Sequence, residues 1–457
     1  MIHADRIHRL NDKPTRAEGG FVLYWMQQSQ RSDWNHALEY AIIRANDLEL
    51  PLAVVFGLTD DYPSANLRHY SFMLEGLEET FNSLEKRGAL ALCGRGHPPE
   101  IAIAASRDAA LTICDQGYLR HQAEWRMQLA ESSECEVVEI ESDIIVPVET
   151  ATDHAEYMAR TLRPRINRQL GDFLVPVSAA KLSKPWKKYG GKFQALDNFE
   201  KKFPSIGTLK LDTSVAPSRI LKGGPSAARQ RLGEFISTSL EVYPQNSNQP
   251  QTDHISMLSP YLHFGQISPL FIALEVSNSR CSEESKAAFL EQVIVRRELA
   301  INFTWYGPNY DRIECLPDWA LDTLDRHRRD KREYVYDLDQ LELSKTHDPY
   351  WNAAMDEMRH TGFMHNYMRM YWGKKILEWT ESPETAFETA LHLNNKYFID
   401  GRDPNSYAGV AWVFGKHDQA WKERPVFGKT RYMNAAGLRR KCDIEAYIKK
   451  VDRLKRS

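Results

Sequence analysis

The 457-residue sequence predicts a mainly parallel, doubly wound α/β domain, then a tether and a larger all-helical domain. Three observations lead there. Over residues 1–150, short apolar runs alternate with helix-length amphipathic segments. Polar Pro, Gly and Asn stretches recur through 151–255, and 256–457 reads as helices with little strand signal. Alternating strands and helices favour parallel pairing with crossover helices, whereas runs of helices alone favour a separate bundle.

The expected strands are "FVLYWM" (21–26), "LPLAVVFGL" (50–58), "ALALCG" (89–94), "LTICDQG" (111–117) and "CEVVEIESDIIVPV" (135–148). Each is short and rich in β-branched or small residues. No GxGxxG follows the first strand and no GK[ST] occurs, so the dinucleotide fingerprint and the P-loop are both missing. "SKPWKKYGGKF" and "VYPQNSNQPQTDH" carry turn residues and read as loops. Further on, Ser282, Asp348 before Pro349, and Ser382 before Pro383 mark helix starts.

Composition narrows the class. With 42% hydrophobic and 26% charged residues the chain is ordinary globular protein. No apolar run approaches the roughly 18–20 residues that span a bilayer, and "MIHADRIHRLNDK" lacks the apolar core of a secretory signal. Six cysteines without a CxxC pair fit free thiols in a reducing compartment. A cytoplasmic (nucleoid-associated) or nuclear protein with no membrane partner is expected. The net charge of −3 hides an asymmetry: residues 416–457 hold 13 Lys and Arg against 5 Asp and Glu. Such a tail is either a solvated helix or a surface for a phosphate backbone.

"NYMRMYWGKKILEW" (366–379) is the most informative stretch. As a helix it sets Trp372 and Trp379 about 10.5 Å apart on one face. "RHTGF" (359–363) breaks the helix before it, which leaves Trp351 on the preceding helix, able to pack on this one. Such indoles are either core filling or a relay for single electrons. The neighbouring stripe presents Asn366, Arg369 and Met370. A buried Arg demands an acid, and Asp400 and Asp403 lie in a downstream loop. That pair would suit the polar edge of a heterocycle or a purely structural bridge. "MLSPYLHFGQISP" (257–269) adds two Ser-Pro turns able to offer hydroxyls and N–H groups to phosphate.

Taken in order, "LSPYLHFGQIS", "FLEQVIVRRELAINF", "HDPYWNAAMDEMRHTGFMHNYMRMYWGKKILEW", "NNKYFIDGRDPN" and "GKHDQAWKERPVFGKTRYMN" resemble the flavin domain of class II cyclobutane pyrimidine dimer DNA photolyases. "VLYWMQQSQRSDWNHALEYA" and "LPLAVVFGLTDDYPSANLRHYSFMLEGL" resemble the antenna domain of the same class. The likeness covers nearly the whole chain and is weakest over 150–255.

The resemblance implies a Rossmann-like antenna domain (1–150), connecting helices and linker (151–255), and a helical domain (256–457) that holds FAD in a bent form. Tyr243, Leu258 and Ser259 would then line its phosphate and adenine side, with Arg297 also facing the cofactor. Asn366, Arg369, Asp400 and Asp403 would border the isoalloxazine and ribityl region, Arg369 pairing with Asp400. Asn394 would sit near the flavin N5. The reduction path would run from Trp372, nearest the flavin, through Trp351 to Trp379 at the surface. Trp412 and Trp421 would wall a flipped-out dimer, with Met370 nearby. Lys422, Arg424, Lys429, Arg431, Arg439, Arg440 and Lys441 would hold flanking phosphates. The family usually places an acid on the helix around 290–298 against the dimer. Glu291 is the candidate here; Gln292 in that place would put a neutral donor there.

The implied reaction is light-driven repair of UV-damaged DNA by a monomer. Fully reduced FAD passes an electron to the dimer, the cyclobutane ring splits, and the electron returns. The N-terminal domain would carry an antenna chromophore, a deazaflavin or a folate. The rival expectation is a cryptochrome-like photoreceptor with the same fold and FAD but no repair. Such receptors often carry a long C-terminal extension, and the early end after the basic helix favours repair.

Overall fold

A computed structural model describes residues 2–456. Six strands form one sheet in the order β1-β6-β5-β2-β3-β4. These are β1 (Ile7–Arg9), β2 (Phe21–Trp25), β3 (Leu52–Leu58), β4 (Leu90–Arg95), β5 (Ala109–Asp115) and β6 (Glu136–Ile140). All neighbours pair in parallel except β1, which runs antiparallel to β6 along the edge. Every residue of β2 is fully buried, as a strand covered on both faces requires.

Two strand expectations need correction. The run 135–148 supplies a strand only as far as Ile140. Beyond it Glu141, Ser142 and Asp143 turn inward to meet polar groups from other segments, so the apolar run leaves the sheet. The edge strand Ile7–Arg9 was not expected, because three residues are too few to show a period of two. The irregular stretch after the helix Ala159–Phe173 is not a free tether. Phe193 packs edge-on against Phe21 at 4.9 Å, and Glu200 forms a β-bridge with Cys93.

The C-terminal part is helical, and its elements start where the sequence says they should. Asp348 accepts from Tyr350 N (2.8 Å) and Trp351 N (3.1 Å), starting α1 (Pro349–Thr361). Gly362 then turns the chain at φ 77, where a Cβ would also lie 2.6 Å from Ile399. After it come α2 (Asn366–Trp379), α3 (Pro383–Tyr397), capped by Ser382, and α4 (Pro404–Val413), capped by Asp403. The last helix, α5 (Ile444–Arg456), is no free basic tail: Ile444, Tyr447 and Val451 are buried, and Tyr447 donates to Glu357 at 2.6 Å. Between Glu283–Leu290 and Arg297–Tyr306 the chain adopts π-helical geometry over Glu291–Arg296.

Sheet and helices are joined by a buried polar seam. Arg31 pairs with Asp143 at 2.5 Å and also donates to Gly265 O at 2.9 Å. Glu298 accepts from Ile145 N at 2.8 Å, and burial pushes its carboxyl up to about 8. Among the described residues no helix is long and apolar enough to cross a membrane.

Candidate active site

The two stripes of α2 meet different surroundings. Met368, Tyr371, Trp372, Ile376 and Trp379 are buried, whereas Asn366 is exposed and Arg369 and Met370 are half-buried. Its neighbour α4 repeats the asymmetry, with Asn405 and Gly409 exposed, Trp412 half-buried, and Ser406, Val410 and Val413 buried. The helices approach closely at Gly373, where a Cβ would lie 2.5 Å from Val413. A Cβ at Gly409 would meet nothing within 4 Å, so that surface is open.

Arg369 donates through NH2 to both oxygens of Asp400 at 3.0 Å and through Nε to Met364 O at 3.0 Å. Its guanidinium lies 3.8 Å from the Phe398 ring centroid, a stacked cation–π contact. The choice between two acids is thereby resolved. Asp403 instead caps α4 through Asn405 N (2.8 Å) and faces His263 at 3.5 Å. Burial raises the Asp403 carboxyl, but His263, Arg297 and the Asn405 N–H together outweigh it and hold the group below its ordinary value. Asn394 is buried and gives its amide N–H groups to Asn395 Oδ1 (3.0 Å) and Ser406 Oγ.

The three indoles form a buried column. Trp351 Nε1 donates to Trp372 O at 3.0 Å, and the Trp351 and Trp379 rings lie 5.9 Å apart. Trp372 meets Phe398 at 6.3 Å, the ring that Arg369 covers, and its own Nε1 has no partner. One expectation fails: Trp379 is 3% exposed and does not reach the surface. Tyr336 (5.7 Å) and His347 (5.0 Å) cover it, and Tyr334, stacked on His347, is the exposed ring.

Trp412 and Trp421 come together around a cation. Arg431 lies 5.3 Å from one ring and 4.2 Å from the other. Asp418 fixes it there, accepting from Arg431 Nε (3.0 Å) and NH2 (3.2 Å) and from Trp421 Nε1 (3.3 Å). Arg431 is thus a half-buried brace between the two indoles, not a free cation like its neighbours in the basic set. Lys422, Arg424, Arg439, Arg440 and Lys441 are exposed and Lys429 is half-buried. Arg424 and Gly428 close the tip of a hairpin through a backbone bond of 2.9 Å. Under this face Lys374 is fully buried and donates to Val413 O; burial draws its ammonium down to about 7.

Other expected residues land elsewhere. Glu291 is bound to Arg163 (2.8 Å) and Arg296 (3.1 Å), so its carboxylate turns to the helix Ala159–Phe173. The π geometry brings residues five apart into reach, which accounts for the Arg296 contact. Gln292 beside it is exposed. Arg297 is buried against Asp143 O at 2.5 Å and braces the polar seam, a second correction. Tyr243 sits edge-on between Phe235 (5.8 Å) and Phe289 (5.4 Å), and Leu258 is buried in the same apolar cluster. Ser259 is half-buried at the start of the short helix Ser259–His263.

An exposed amide, a guanidinium locked to a carboxylate, a thioether and an open glycine surface fit a planar heterocycle with polar edges. No cluster of three or more His, Cys, Asp or Glu suited to a metal occurs among the described residues. Residues 22–184 match the family model described as DNA photolyase. A protein named deoxyribodipyrimidine photo-lyase from Methanothermobacter thermautotrophicus is 49% identical over 99% of both chains. One of the same name from Potorous tridactylus is 40% identical over 94% of this chain and 81% of that one. The chain belongs to the photolyase family. A crystal structure of a bacterial class III photolyase from Agrobacterium tumefaciens shares the fold at TM-score 0.70 and 16% identity, covering 95% of this chain and 86% of that one.

A cavity lies apart from the open surface of α2 and α4, within reach of the N-terminal sheet. It measures about 100 Å³ and opens at the C-terminal ends of β2 and β3. Trp25, Phe56, Tyr62, Met73 and Trp125 supply apolar walls, and His263 and Arg402 reach in from the helical part. Sequence reading missed this cavity. Its walls come from distant segments, and the only local cue was a lone Arg between Asp400 and Asp403.

Proposed function

We propose that this protein is a class II deoxyribodipyrimidine photo-lyase that uses light to split cyclobutane pyrimidine dimers in UV-damaged DNA. Full-length identity of 49% to a protein of that name carries the reading. Residues 1–150 form its antenna domain, 151–255 the connection, and 256–457 the domain for FAD and DNA. The open stripes of α2 and α4 hold FAD, with Asn366, Arg369, Asp400 and Asn394 toward the ring system. Arg369 is pinned to Asp400 and Phe398, so it meets a polar ring edge without first paying for ordering. Tyr243, Leu258 and Ser259 border the adenine and phosphates, the first two by packing.

Reduced FAD, when bound, supplies the photoexcited electron that opens the cyclobutane ring and takes it back. The protein's own residues position and recharge. Trp372, Trp351 and Trp379 relay single electrons inward, with Tyr336 and His347 between Trp379 and solvent. Trp412 and Trp421, braced by Arg431, wall the flipped dimer beside Met370. Extrusion of a damaged pair costs on the order of a few kcal/mol. Lys422, Arg424, Lys429, Arg439, Arg440 and Lys441 hold phosphates. The dimer-facing side chain of the π stretch is Gln292 in place of Glu291, whose charge Arg163 already neutralises.

The test is illumination of the reduced protein with dimer-containing DNA, followed through restored thymine absorbance. Repair is expected. A flavin that photoreduces normally while thymine absorbance stays flat would favour the cryptochrome-like reading. A colourless protein that takes up no flavin would remove both.

A further inference from the structure

Lys374 stands on α2 two residues past Trp372 and is 0% exposed. An ammonium this deep is costly unless something negative faces it. Among the described residues no carboxylate lies within 4 Å of it, and it donates to Val413 O. Val413 is the last residue of α4, so its carbonyl has no partner inside the helix and lies at the negative end of the helix dipole. The helix end thus holds the charge in place without neutralising it.

That charge lies 5.8 Å from the Trp412 ring. Arg431 flanks the same ring at 5.3 Å but is matched by Asp418. One positive charge beside Trp412 is therefore left uncompensated. The buried indole column differs. Among the described residues no Lys or Arg stacks on Trp351 or Trp372. Trp379 has Lys375 at 5.4 Å, but Glu378 pairs with that ammonium. Of these four indoles, the one assigned to the dimer wall is the one with an unmatched cation.

An electron that leaves Trp412 for a bound flavin leaves a radical cation on the indole, a new positive charge facing Lys374. At an effective dielectric constant of ~20, repulsion over 5.8 Å disfavours that oxidation roughly a hundredfold. We infer that Lys374 insulates Trp412, keeping the dimer wall out of the electron relay so that a bound flavin draws its electrons through Trp372. An oxidised indole at the wall would otherwise compete for the electron lent to the dimer. Lys374 acts through Trp412 and is a positioning residue for charge. The inference rests on the reading that the open stripes of α2 and α4 border the flavin.

The test has two arms, both at pH 6, below the value to which burial draws the Lys374 ammonium. The first needs no flavin. Full-length protein is oxidised one electron at a time by flashed ruthenium tris(bipyridine) with persulfate. Oxidised indole at residues 412 and 421 is then measured by peptide mass spectrometry. Lys374→Gln, which keeps a donor for Val413 O, is expected to raise the yield at Trp412 relative to Trp421 by ~tenfold or more, and Lys374→Met to match it. An unchanged ratio, or a rise in Lys374→Met alone, would overturn the charge effect. The second arm follows flavin photoreduction under blue light with a reductant. Adding Lys374→Gln to Trp372→Phe is expected to speed it ~tenfold or more, and adding Trp412→Phe as well to abolish the gain. No gain, or a gain that survives Trp412→Phe, would overturn the insulation. A first-arm rise in a chain that takes up no flavin would instead sink the functional reading and leave the charge effect standing.

Discussion

Arg68 and Arg402 are both sealed inside the protein, and among the described residues neither has a carboxylate within 4 Å. Their surroundings nevertheless differ. Arg68, where the helix Leu67–Lys86 meets the helical part, donates to four carbonyls: Ala216 (2.9 Å), Met358 (3.1 Å), Tyr397 (2.8 Å) and Arg359 (2.5 Å). Arg402 has one carbonyl, one imidazole and an idle Nε. The contrast separates a cation that holds segments together from one that awaits something. Satisfaction of hydrogen bonds, more than burial, distinguishes scaffold from site.

Substitution to Met would break or sharpen the contrast most directly. Arg68→Met strands four carbonyls and is expected to lose ~3–5 kcal/mol in chemical denaturation. Arg402→Met, in ligand-free protein, is expected to leave stability unchanged or higher. Equal losses at the two positions would erase the distinction.

The polar seam offers a second test, through pH. Burial raises the Glu298 carboxyl to about 8, against about 4.5 unfolded, so between these values the folded chain keeps a proton the unfolded chain has lost. Stability is then complete below pH ~4.5 and falls by ~1.4 kcal/mol per pH unit up to pH ~8. Burial raises Glu141 to about 8 as well, adding an equal slope. Glu298→Gln, which keeps the acceptor for Ile145, is expected to remove one of the two slopes in denaturation across pH 5–8.

Arg369 lies between the extremes, paired on one side and open on the other. Arg369→Ala is expected to weaken flavin retention ~30-fold or more, measured by release on dilution. Full occupancy in that variant would contradict the role given to its pairing with Asp400. Trp372→Phe loses no hydrogen bond, because its Nε1 bonds to nothing, and costs only the ~1–3 kcal/mol of the cavity it leaves. It should still bind flavin yet fail to photoreduce it under blue light with a reductant. Normal photoreduction there would remove the relay.

What the sequence revealed follows the range of the forces involved. Helix caps at Ser282, Asp348 and Ser382 depend on residues two or three apart, and they were legible. Arg369 could be matched to a short list of acids because the loop 400–403 is compact and polar. Asp418 bracing Arg431 was not legible, since it joins two loop residues with no periodic signal. The cover over Trp379 comes from Tyr336 and His347, in an irregular stretch whose contacts no helical period announces. Glu291 misled because the π stretch alters which residues share a face.

The π-helical stretch Glu291–Arg296 sets the rotation between the two helices that flank it. Each α-helical residue turns the chain by roughly 100°. Excising one position from 291–296 would restore a regular spiral and swing Glu283–Leu290 by about that angle relative to Arg297–Tyr306. Phe289 would swing off Tyr243, and Ser285 off Glu241 O. Loss or gain of a single residue here would re-aim a face that no conservative replacement could turn.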